Sequence, residues 1–173
     1  MSVNAGNKDW VGFNCFAYAI SGKFATLRES LPKSPGFLRH TGCVLDSNAS
    51  VATNANKLSA KLQEDGLRRH KSTADLQTIS GHYLIAAYID SSLGYHFVRQ
   101  DFDGNWSHKF GFGNPPESLG SLTHEQLTTA SFLNDEESQC HFVGIYSVPD
   151  AGLSKDRRSY SKQVSDRPQI IER

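Results

Sequence analysis

No stretch of this 173-residue chain stays apolar long enough to span a bilayer; its longest apolar runs, residues 83–89 and 142–148, have the length of strands. The opening residues, MSVNAGNKDW, lack the apolar core of a signal peptide, so synthesis in the cytoplasm is expected and any export would need another route. An excess of charge of one sign is missing too. Lys and Arg total 18 against 18 Asp and Glu, which leaves no global field to draw the protein to nucleic acid or to an acidic membrane. Cysteine is scarce: Cys15, Cys43 and Cys140 are an odd number without metal-binding spacing, which argues against a disulfide framework. There is no phosphate-binding glycine loop and no internal repeat, and no cofactor or metal is expected. The length suits one domain with a real core. We place it over residues 1–149, with a flexible tail rich in Ser, Lys, Arg and Asp over 150–173, in which Ile170 and Ile171 could anchor or engage a partner.

What is present centres on residues 95–111, YHFVRQDFDGNWSHKFG, which read as two short strands around a turn, with His96 on the first and His108 on the second. The first strand alternates as a half-buried strand would. In the second, Trp106, His108 and Phe110 share one face, and Ser107 and Lys109 the other. The turn decides whether the histidines meet. A two-residue loop at Asp103-Gly104 pairs Phe102 with Asn105 and puts the imidazoles on opposite faces. A three-residue loop, Phe102-Asp103-Gly104, with glycine in the left-handed third position, closes Asp101 on Asn105 and sets His108 opposite Val98, so that both histidines share a face. Gly104 in third place favours the latter, and the two-residue loop remains open.

Upstream, Asn14 is a natural N-cap for a short helix through Cys15, Ala17, Ala19 and Ile20, with Gly22 as C-cap. In the first turn of that helix, free amides and the helix dipole would lower the Cys15 pKa and populate its thiolate. Cys43 and Cys140 carry the ordinary reading of buried cysteines. Residues 1–9 lead in flexibly to Trp10 and Phe13, and 31–42, LPKSPGFLRHTG, form a loop that covers something. Residues 54–64 form a packing helix, and 68–71, RRHK, a solvated basic bend. Residues 81–90, GHYLIAAYID, form a central strand opened by His82, a third imidazole read as structural. Residues 123–130 form a short helix capped by Thr123, and 142–148 a strand ended by Pro149. Together these give an α+β fold in which the helix carrying Cys15 packs on an antiparallel sheet carrying the histidines.

A helix-opening Asn-Cys in FNCFAYA, a strand-opening His96 and a second histidine twelve positions on, His108 in WSHK, resemble the NlpC-type papain-like cysteine peptidases. Asn14 stands where that family usually has aspartate, and Phe16 and Ala17 where it commonly has small residues. The resemblance implies a papain-like fold and a thiol-protease or amidase activity with Cys15 as nucleophile, His96 as proton carrier and His108 holding the His96 ring. The Cys15 backbone amide would serve as one oxyanion donor, and the Asn14 or Asn7 side chain as a second. Its substrate would be an amide in a peptide, a protein or peptidoglycan, cleaved through a thioester. A protein-modifying effector, working as deamidase or acyl transferase, and a phage-encoded hydrolase fit the same residues. The rival from another class is a non-catalytic binding or structural domain with Cys15 buried and the aromatic hairpin as a recognition surface. Cys15 with the two histidines could also supply three zinc ligands, but nothing in their spacing asks for it.

Overall fold

The structure, a computed structural model, describes residues 12–25, 31–39, 42–71, 76 and 78–153. Asn7, Trp10, Ile170 and Ile171, singled out in the sequence, lie outside the described residues. Three helices are formed: α1 (Cys15–Ala19), α2 (Val51–Glu64) and α3 (His124–Thr129). The strands are β1 (Arg68–Arg69), β2 (His82–Asp90), β3 (Tyr95–Gln100), β4 (Trp106–His108), β5 (Glu117–Gly120) and β6 (Cys140–Pro149). They form one six-stranded sheet in the order β1-β6-β2-β3-β4-β5, and every neighbouring pair is antiparallel. The class is α+β, as expected. No helix among the described residues is long and apolar enough to cross a membrane.

Both faces of the sheet are covered, which explains why β2 is apolar without alternation. Tyr83, Ile85, Ala87 and Ile89 join Phe16, Ile20, Leu58 and Leu62 beneath α1 and α2. Leu84, Ala86 and Tyr88 face the other way, with Val98, Trp106 and, from α3, Leu127. This corrects the reading of β3 as half-buried: His96, Phe97, Val98 and Arg99 are all buried. Likewise Ser107 and Lys109, on what reads as the polar face of the second strand, are buried, and the Ser107 hydroxyl and the Tyr18 phenol of α1 are 2.7 Å apart.

Arg99 locks α1 onto the sheet. Its side chain is fully buried on the α1 face and donates to the carbonyls of Tyr18, Gly22 and Lys23 and to the Ser21 hydroxyl, adding a charged donor where α1 ends. The Asp101 carboxylate lies 3.2 Å from its Nε, and the guanidinium sits over the rings of Tyr83 and Tyr18. The chain after β6 docks beside it. The tail expected from residue 150 begins later, because Leu153 is buried and donates its amide to Ile20 O, while Asp150 O accepts from Lys23 N. Gly152, with φ +76°, comes so close to α1 that a Cβ there would lie 2.5 Å from Ile20 O.

Other boundaries shift for local reasons. The Ser50 hydroxyl accepts from Thr53 N and starts α2 at Val51, about one turn earlier than expected. The C-cap of α1 is Ile20, with Gly22 beyond it at φ +98°. Arg68 and Arg69, read as part of a solvated bend, are an edge strand against Tyr146 and Ser147. The capping box at Thr123 and Gln126 opens α3.

Candidate functional site

The hairpin takes the three-residue loop. Gly104 has φ +84°, its amide donates to Asp101 O, and Asp101 N donates to Asn105 O at 2.7 Å. Val98 therefore pairs with His108, and the histidines share the face turned away from α1. They meet directly: His96 Nε2 and His108 Nδ1 are 3.0 Å apart, with the rings near-perpendicular at 84°. Phe110 closes over this bond, stacking on His96 at 4.9 Å and 19° and meeting His108 edge-on at 4.4 Å.

The structure brings the two histidines together but not the thiol with them: Cys15 lies against β3 from the opposite face of the sheet. The Asn14 side chain caps α1 by accepting from Ala17 N, which places Cys15 at the start of the helix against β3. The thiol donates to Tyr95 O at 3.6 Å, and the amide of Phe97 points at the sulfur, as do those of Cys15 and Phe16. Tyr95 and Phe97 flank His96, so the sulfur lies against the main chain on either side of it. The thiol's hydrogen goes to Tyr95 O and to neither imidazole. Since Nε2 of His96 is taken by His108, its free nitrogen is Nδ1, the one nearer the main chain.

Electrostatics overturn the expected thiolate. Burial pushes the Cys15 thiol up to about 11, against the smaller opposing pull of the Phe97, Phe16 and Cys15 amides and of Lys109. A five-residue helix offers little dipole, and Cys15 is only 7 % exposed, so desolvation wins. Burial, then the neighbouring His108, lowers His96 to about 4. At rest the pair is a neutral thiol and a neutral imidazole. Burial also lowers His108, opposed by the nearby Glu117 carboxylate, whose Oε2 is 3.7 Å from His108 Nε2.

Asn14 is bound at both ends: its Oδ1 accepts the cap bond, and its Nδ2 donates to Lys33 O at 2.7 Å. That use competes with the expected oxyanion role, whereas the Cys15 amide is directed toward the sulfur. His82 sits at the far end of β2, opposite Pro149, with its ring on Ser80 O. Cys43 is buried in the core beneath α1 and α2, and Cys140 is partly buried. Among the described residues no three His, Cys, Asp or Glu side chains form a group able to hold a metal ion.

Sequence reasoning missed Glu117. It follows Pro115-Pro116 and reads as loop, and only its pairing with His108 across β4 and β5 brings it to the site. A widely open groove of about 830 Å³, lined by Val51, Arg69, Thr128 and Phe142, lies at the β6 edge and shares no residue with this cluster. No family model, no curated protein and no solved structure matches this chain.

Proposed function

We propose that this protein is a cysteine-nucleophile hydrolase of an amide bond, of the NlpC-type papain-like kind, with a peptide, protein or peptidoglycan substrate. The observation that carries the reading is the buried His96–His108 hydrogen bond, formed on the segment against which the Cys15 thiol lies. A histidine held by a second group through one nitrogen is the form a general base takes, and the reading requires that substrate binding bring the thiol, which rests on the opposite face of the same strand, to the other nitrogen.

In this mechanism substrate binding draws the Cys15 sulfur from Tyr95 O to His96 Nδ1, and its proton passes to that nitrogen as sulfur attacks the substrate carbonyl. The S–H bond breaks, and N–H and C–S bonds form. The Cys15 amide stabilises the oxyanion. His96 then returns the proton to the leaving amine as the C–N bond breaks, and water, deprotonated by the same ring, cleaves the thioester. His108 keeps the ring oriented throughout. The neutral resting pair makes His96 a general base during attack. Transfer to a nucleophile other than water would give an acyl transferase, and a side-chain amide as substrate a deamidase.

The burial and raised pKa of Cys15 favour a second reading, a non-catalytic domain with a core thiol. One experiment separates them: turnover of a panel of peptide, protein-amide and peptidoglycan-fragment substrates by the wild type, Cys15→Ala, His96→Ala and the double variant. Hydrolysis lost nearly completely in each single variant, with the double little worse, supports the hydrolase. Folded wild type that turns over none of the panel, or Cys15→Ala that matches it, supports the non-catalytic domain.

A further inference from the structure

Resting on that reading, we infer that Glu117 is a positioning residue that sets the proton-accepting tautomer of His96 through His108. A neutral imidazole carries one N–H, so the 3.0 Å bond between the two rings can be made in two ways. If His108 donates from Nδ1, His96 accepts at Nε2 and must carry its own proton on Nδ1. That form has no lone pair for the thiol. If His96 donates from Nε2, its Nδ1 is a base.

The contacts between the rings do not choose between these forms, and the Asp90 carboxylate, whose charge also acts on His96, accepts at Oδ1 from Ser92 and Gly94; the choice falls to Glu117. Register places it directly across from His108, and its Oε2 lies 3.7 Å from His108 Nε2, the nitrogen that does not face His96. An ionised carboxylate only accepts, so it favours the proton on His108 Nε2. His108 Nδ1 is then an acceptor, His96 Nε2 must be the donor, and His96 Nδ1 keeps its lone pair. The separation is longer than a direct hydrogen bond, so the carboxylate acts by its charge or through one water. Glu117 is 61 % exposed at its side chain and contributes nothing to the core, so replacing it should leave the fold intact.

The test needs no substrate, so its failure and that of the hydrolase reading are told apart: turnover of the amide panel judges the latter, ring protonation the former. Imidazole 15N–1H correlation spectra are recorded on the histidine-labelled full chain at neutral pH, with the rings assigned from His96→Gln and His108→Gln. In the wild type both rings should carry their proton on Nε2. Glu117→Gln keeps an acceptor oxygen and should retain this pattern while lowering the titration midpoint of His108. Glu117→Ala should lose it, giving mixed tautomers at both rings and a lower His108 midpoint. Wild type with the proton on His108 Nδ1, or Glu117→Ala with tautomers and midpoint unchanged, would overturn the assignment.

Discussion

The pH dependence of Cys15 alkylation follows from the resting protonation state. With the thiol at about 11 and the imidazole at about 4, moving the proton from sulfur to ring costs on the order of 10 kcal/mol for separate charges. Brought to about 4 Å of each other during attack, the opposite charges attract by about 4 kcal/mol at an effective dielectric near 20, leaving about 6 kcal/mol. The neutral pair therefore dominates at neutral pH. That cost still fits within the barrier of about 16 kcal/mol that corresponds to a turnover of about 10 per second, so general-base attack is compatible with catalysis. The thiolate fraction at pH 7 is about one in ten thousand, against a few per cent for a thiol of pKa about 8.5. The assay is the iodoacetamide rate at Cys15, followed by peptide mass spectrometry from pH 5 to 10 in the native protein. The rate should rise about tenfold per pH unit over the upper half of this range without a plateau. A rate that is flat between pH 5 and 8 would reveal a preformed thiolate–imidazolium pair and refute the reasoning.

Three further outcomes are expected. His96 titrates near 4 folded against 6.5 unfolded, so protonation of the unfolded chain erodes stability as pH falls through that window. Denaturant unfolding of His96→Gln should therefore gain about 3 kcal/mol relative to wild type between pH 7 and 4. Phe110→Ala uncovers the imidazole bond and should raise the His96 midpoint from about 4 toward the ordinary histidine value, read by NMR titration. Arg99→Met leaves the Gly22 and Lys23 carbonyls and Asp101 without their cation and should cost about 3 kcal/mol in chemical denaturation, with faster Cys15 alkylation as α1 loosens.

Local chemistry was legible in the sequence wherever one residue fixed one geometry. Gly104 in third place set the hairpin register and brought the two histidines to one face, and Asn14 and Thr123 capped the helices they preceded. What depended on tertiary packing was not. The thiolate expected at the start of a short helix gave way to burial, which comes from Tyr95 and Phe97, eighty residues on, packing with the neighbouring Phe16 around Cys15. Arg99, a polar member of an alternating strand, became a buried clamp because the acceptors it needs arise only where α1 ends. Glu117 was hidden in a four-residue, partly exposed strand behind two prolines, too short for periodicity to mark.

The proposal that Cys15 forms a thioester with its substrate is tested most directly by intact-mass spectrometry of the protein quenched in acid during turnover of an amide substrate. The account predicts an acyl adduct on Cys15, released by hydroxylamine, present in wild type and absent from Cys15→Ala and His96→Ala. Undiminished turnover by Cys15→Ala, with no adduct on the wild-type thiol at any time point, would contradict it.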